Sequence, residues 1–210
     1  TFAAGTAAYF DGASLTTASA DAVNYVLNPT VATAMLPDTK AYTHVGHGII
    51  FLLGGNYGRK YEVTITWGAN EETVSYTSAT GGSSSHTTLI TTDYIINRTM
   101  EALQANTTIN AAFTVVRTAD VLHIENTAGD EFEMTVGDGA GGRDLFSITF
   151  ETTDESKIPR YAPQGFIIKV TGSSSSGADD FYLEFVTDDD TTALGAGFGT
   201  AGKWIESVAP

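Results

Sequence analysis

The 210-residue chain contains no cysteine, which excludes disulfides, thiolate metal sites and a cysteine nucleophile. Proline is sparse, at five residues. Basic residues are scarce: ten Lys and Arg stand against 25 Asp and Glu, for a formal charge of −15 and a pI near 4.3. So acidic a surface repels phosphate backbones and argues against tight nucleic-acid binding. Two readings of the charge stay open. One is plain solubility in a salty environment; the other is a protein that faces DNA and must not hold it. No apolar run approaches the ~20 residues needed to cross a bilayer. The longest stretch of this kind, residues 49–53, reads as a buried strand. The chain starts at Thr1, without Met and without a basic-then-apolar leader, and is read as a piece of a longer protein.

Thr and Gly are plentiful, and aromatic and β-branched residues cluster in short runs. That pattern predicts a mostly β chain. Short strands are expected at 24–27, 72–77, 112–117, 121–125, 132–136, 146–150, 166–170 and 181–186, and Lys203-Trp204-Ile205-Glu206 closes the chain. Turns are expected at Asn28-Pro29, Pro37-Asp38 and the Gly81-Gly82-Ser83 loop, and Tyr9-Phe10-Asp11-Gly12 reads as strand then turn. One segment has helical periodicity. Ile95, Ile96, Thr99, Met100 and Leu103 form an apolar stripe at three- and four-residue spacings, with Thr91 or Thr92 as cap and Asp93 suited to the helix N-terminus. The predicted class is therefore α+β, dominated by antiparallel sheet, with one main amphipathic helix over about 92–104.

The most informative local feature is the corner Gly54-Gly55-Asn56-Tyr57-Gly58-Arg59. An apolar strand enters it, and a strictly alternating one leaves it. Tyr61, Val63, Ile65 and Trp67 fall on one face; Glu62, Thr64 and Thr66 fall on the other. The corner reads as a hairpin turn, with positive φ expected at Gly54, Gly55 and Gly58.

No catalytic constellation emerges. Residues 137–142, Gly-Asp-Gly-Ala-Gly-Gly, superficially resemble a dinucleotide fingerprint but lack its strand–loop–helix setting, so a β-turn with an acidic tip is expected. His44 and His47 are three apart but precede a strand, where metal-ligating geometry is not expected; they and His86 read as mobile loop residues. His123 alternates with Leu122 and Ile124 and is placed on the solvated face. The acidic runs Asp179-Asp180 and Asp188-Asp189-Asp190 could attract a hard cation weakly but lack the EF-hand pattern. No Gly-x-Ser-x-Gly elbow occurs, and among 25 acids no carboxylate pair singles itself out. Asn97-Arg98-Thr99, with glycosylation spacing, lies inside the expected helix. No catalytic, cofactor-binding or metal-binding residue is assigned.

Several landmarks, taken in order, resemble the tail tubular protein B (nozzle) family of short-tailed, podovirus-type (T7-like) bacteriophages. They are the Gly54-to-Arg59 corner with its alternating strand, Thr92-Asp93 opening a helix, and Asp138-Gly139 after Phe132-Glu133-Met134. After these come Ile158-Pro159, Ala162-Pro163-Gln164-Gly165-Phe166, Asp179-Asp180-Phe181-Tyr182-Leu183, and a closing Trp204-Ile205-Glu206. The resemblance covers residues 43–210 well and 1–42 more loosely. It implies a non-enzymatic virion component of the phage tail that forms a ring, typically of six subunits, around a genome-ejection channel. It also implies contacts with an adaptor (gatekeeper) tail protein and with tail fibres. Residues 1–45 would be an arm from a neighbouring propeller-like domain, and residues 46–210 an α+β platform-like domain. Gly54, Gly55, Tyr57, Gly58, Arg59, Pro159, Pro163, Gly165 and Trp204 would be architectural. The acidic Gly/Ala-rich loop at 187–203 departs from the family pattern. The alternatives are a carbohydrate-binding or depolymerising tail domain, with Tyr57, Tyr161 and Trp204 as stacking platforms, and an acidic surface-layer or adhesion domain.

Overall fold

The computed structural model describes residues 16–20, 23–27, 45–172, 177, 179–188 and 198–208. The turns expected at 9–12, 28–29 and 37–39 lie outside these residues, as do His44, Asp189, Asp190 and most of the 187–203 loop. The chain divides into two units, Thr1–Thr39 and Lys40–Pro210. In the first, β1 (Thr16–Ala20) pairs antiparallel with β2 (Val23–Leu27), from Thr16↔Leu27 to Ala20↔Val23.

The second unit is built mainly from antiparallel strands. β4 (Lys60–Trp67) alternates as its sequence dictates: Tyr61, Val63 and Ile65 are fully buried, each burial worth about 2 kcal/mol. β4 lies between β5 (Asn70–Thr77) and β8 (Glu133–Gly137) in a three-stranded sheet. β3 (His47–Leu52) is different. Every residue after His47 is buried, because both faces of this strand are covered. It lies between β7 (Val121–Asn126) and β9 (Leu145–Ile148), with β6 (Phe113–Thr118) beyond β7. A third sheet orders β10 (Glu151–Thr152), β11 (Ile167–Val170), β12 (Phe181–Thr187) and β13 (Gly202–Ser207); its β10–β11 pairing is parallel.

This topology corrects the reading of the corner after β3. It is not a hairpin, because β3 and β4 do not pair: β3 bonds to β7 and β9, and β4 to β5 and β8. The physical reason lies in the two strands it joins. A continuous apolar run suits a sheet covered on both faces, and an alternating run suits a half-exposed one, so the corner carries the chain between sheets.

Helix α1 (Thr92–Ala105) buries Ile95, Ile96, Thr99 and Leu103. The Thr91 hydroxyl caps it by accepting the Tyr94 N–H at 3.2 Å. Asn106 ends α1 and caps the short α2 (Thr107–Ala112), its side-chain oxygen accepting the N–H groups of Thr108 and Ile109. Residues 84–90, expected in or after a loop, form a 3-10 helix. No helix among the described residues is long and apolar enough to cross a membrane.

Two cores result. The first gathers α1 and α2 residues with Ile50, Leu52, Tyr61, Val63, Ile65, Leu122, Ile124 and Phe132. The second gathers Ile49, Phe51, Val121, Ile148, Phe166, Ile167, Ile168 and Phe185. β3 thus contributes alternate side chains to both.

Candidate functional site

The corner is held by a dense local network. A Cβ on Gly55 would overlap the Ile90 carbonyl oxygen and crowd Ile95, so this glycine is needed for space. Of the three glycines expected at positive φ, only Gly58 has it, at +61°; that expectation is corrected for Gly54 and Gly55. The Asn56 N–H donates to the Tyr61 hydroxyl at 3.0 Å, and its side-chain amide donates to the Asp144 carboxylate at 2.9 Å. Buried Ser78 donates its hydroxyl to the Asn56 carbonyl at 2.6 Å and accepts the Arg59 N–H at 2.9 Å. The Arg59 guanidinium donates to the Gly139 carbonyl at 2.5 Å. Tyr57 is 42 % exposed and lies over Gly81.

The loop that Arg59 and Asn56 reach is organised by Asp138. The sequence suggested an acidic tip; the structure corrects this, because Asp138 is only 1 % exposed. Positive φ at Gly139, Gly141 and Gly142 turns the backbone so that N–H groups converge inward. Those of Ala140, Gly142, Arg143, Asp144 and Leu145 donate to the Asp138 carboxylate at 2.7–3.4 Å. Burial by itself would raise the carboxyl pKa, but the backbone donors outweigh it and hold the group well below the usual carboxylate range. Convergent N–H groups are how phosphate loops bind anions. Here the anion is the loop's own side chain, so the cradle is filled.

The remaining expected residues meet at a second place. The Trp204 indole N–H donates to the carbonyl of buried Pro159 at 2.8 Å, and its ring packs edge-on against Phe166 and Phe185. Buried Pro163 accepts the Phe166 N–H at 3.1 Å. Gly165, at φ +75°, donates its N–H to the Phe185 carbonyl at 2.8 Å. Trp204, partly buried, therefore packs against the second core. Tyr161 is half-buried, and the Arg160 guanidinium sits over its ring.

The histidine expectations are also corrected. His123 is 5 % exposed and His47 opens β3. Their rings are nearly parallel, at 5°, with centroids 5.3 Å apart and His47 Nδ1 and His123 Nε2 meeting edge to edge at 3.1 Å. The sequence carried a clue: Val121-Leu122-His123-Ile124 does not alternate in polarity, so its strand is covered on both faces. Of the acidic pairs, Asp180 is engaged by the Lys169 ammonium at 2.7 Å. Among the described residues, no three His, Asp or Glu side chains converge as metal ligands would.

The outward face of the three-stranded sheet is the plainest surface in the unit. Register places Glu71, Thr66 and Glu133 in one row, Thr73, Thr64 and Thr135 in the next, and Ser75, Glu62 and Gly137 in a third. The Thr64 and Thr73 hydroxyls bond at 2.8 Å. Lys60, the cation beside these rows, is paired with Glu62. No large exposed apolar side chain among the described residues belongs to these rows; those are Val45, Leu53, Tyr57, Val116, Ile205 and Val208.

Comparison with known proteins supplies what geometry alone does not. The family model described as bacteriophage nozzle protein matches residues 7–210. The chain is similar to the tail tubular protein gp12 of Escherichia phage T7, 22% identical over 164 residues. That alignment covers 78% of this chain and 20% of the relative, so the chain spans about one fifth of the length of the relative it matches.

Proposed function

The chain belongs to the bacteriophage nozzle protein family, a structural component of the phage virion tail, and from that premise we propose that it forms part of the wall of a genome-ejection conduit. In this reading copies of the protein associate in a ring, of six subunits, in the tubular tail of a short-tailed phage. The ring seats against an adaptor (gatekeeper) tail protein and carries tail fibres. Residues 46–210 are the platform-like part, and residues 1–45 an arm that continues into a neighbouring propeller-like domain. The observation that carries the reading is the family match over residues 7–210.

The chemistry of the surface supports it. A conduit wall must not grip DNA, since each phosphate neutralised by a cation adds affinity and salt-dependent friction. The rows of Thr, Ser and Glu on β4, β5 and β8 offer carboxylates and hydroxyls, and the nearby cation is already neutralised. The corner and linker residues act as architecture: Gly54, Gly55, Tyr57, Gly58 and Arg59 fix the crossing between sheets, and Pro159, Pro163, Gly165 and Trp204 fix the second core.

The test is to express the full-length protein with its adaptor and image the product by negative stain. Closed rings that stack on the adaptor are expected. A full-length protein that stays monomeric beside its adaptor would overturn the proposal.

A further inference from the structure

The hydrogen-bonded histidines occupy a joint. β3 sends Ile50 and Leu52 into the first core, and Ile49 and Phe51 into the second. His47 continues the second row two residues before Ile49, and His123 is the direct cross-strand partner of Ile49. On the other side of β7, His123 is opposite Val116 of β6, which is 44 % exposed. Phe198, packed against the second core, lies 5.4 Å from the His123 ring. The pair therefore sits at the margin where the second core packs against the sheet of β3 and β7.

We propose that this pair is an acid-sensitive joint: protonation loosens the second core from the β3–β7 sheet while the first core, built around α1, stays closed.

The argument begins with the hydrogen bond. A contact of 3.1 Å between two ring nitrogens needs one donor and one acceptor, which two imidazoles supply only while one facing nitrogen is unprotonated. When both rings are cations, two donors face each other and two like charges repel. Water cannot relieve the inner charge, because His123 is almost fully buried. Burial first, and then the charge on His47, push the His123 pKa down to about 3. Burial also lowers His47, opposed by Glu125, its cross-strand partner. Ile49, Val116 and Phe198 flank His123 without charge, while Glu131, from the segment between β7 and β8, lines a recess together with His47.

The direction of the pH effect follows. The fold binds His123 neutral, whereas the unfolded chain protonates it near the ordinary 6.5. The pair's contribution is thus complete above about pH 6.5 and is withdrawn as pH falls toward 3. Asp138, whose folded pKa is depressed below an ordinary 3.8, belongs to the loop behind the first core's β8 and yields only at lower pH. The joint therefore loosens first.

The two tryptophans report on the two cores separately, since Trp67 packs on the first and Trp204 on the second. The experiment follows hydrogen exchange of the intact protein at pH 7 and pH 5, corrected for intrinsic rates, with the emission of Trp204 recorded in a Trp67→Phe variant. Protection of β11 and β12 amides is expected to fall about tenfold or more at pH 5, with a red shift of Trp204 and unchanged protection of α1. His123→Gln should abolish that pH-dependent difference, and His47→Gln, which removes the facing charge but not the burial of His123, should reduce it. Should His123→Gln fail to fold, the half-exposed His47 carries the test. Parallel changes in α1 and β11–β12 between pH 7 and pH 5 would overturn the proposal, and so would a pH-dependent loss that is undiminished in His47→Gln.

Discussion

The Asn56 side-chain amide donates to the Asp144 carboxylate at 2.9 Å, joining residues 88 positions apart in sequence. This bond ties the corner between β3 and β4 to the loop between β8 and β9. Leu53 reinforces it by donating its N–H to the Asp144 carbonyl at 2.8 Å. The corner is thus clamped from two sides, by Ser78 and by the 138–145 loop.

Two glycines in that corner should behave differently when replaced. Gly55→Ala forces a Cβ into the Ile90 carbonyl and is expected to cost about 3 kcal/mol, the upper range for overpacking. Gly58 has open space around it but a left-handed φ of +61°, so Gly58→Ala should cost only about 1 kcal/mol. Urea denaturation midpoints decide the point; equal losses at both positions would contradict it.

Asp138 is expected to be the most sensitive acid in the chain. Asp138→Ala leaves several backbone donors without an acceptor and should destabilise by about 3 kcal/mol. Because the folded pKa is depressed, the contribution is present above the unfolded value of about 4 and fades as pH drops below it. Wild type and Asp138→Ala should therefore converge in stability in strong acid. In Asp138→Gly, inorganic phosphate or sulfate should recover part of the loss by occupying the vacated cradle, detectable as a concentration-dependent rise in Tm.

Trp204 is expected to divide its contribution between packing and one hydrogen bond. Trp204→Phe removes the bond to Pro159 and leaves a buried carbonyl unpaired, a loss of about 1–2 kcal/mol. Trp204→Ala should cost about 3 kcal/mol, the lower end for a core aromatic because the ring is partly buried, by removing its packing against Phe166 and Phe185. Thermal unfolding of the two variants measures the split.

Reversing charge on the outward sheet face tests the conduit reading. Glu71 and Glu133 are both exposed, so Glu71→Lys with Glu133→Lys should change stability by no more than about 1 kcal/mol. The double variant is expected to retain duplex DNA at low salt, with a binding slope of about −2 against log salt concentration. Genome ejection in vitro should slow while ring assembly is unchanged. Ejection at the wild-type rate would count against this face as a conduit wall.

Much of the local structure was legible because period and capping are local properties. β4 announced itself through Tyr61, Val63 and Ile65, and α1 through its stripe and Thr91. Pairing is not local, and there the sequence misled. The corner looked like a hairpin because β3 and β4 are neighbours in the chain, although the polarity of each strand already suited a different sheet. Asp138 looked exposed because its burial depends on three glycines directing later N–H groups back to it. His123 was placed outside because alternation was assumed in a run that lacks it. Nothing in residues 159 and 204, 45 positions apart, shows that a carbonyl and an indole will meet.

The position of β3 has a mechanical consequence. It is bonded to β7 on one side and β9 on the other, and its side chains alternate between two cores. A load along β3 must shear both ladders together, and withdrawing the strand would empty both cores in the same event. The strand works as a shared beam, so the two cores yield together under tension even where chemistry can ease one of them apart.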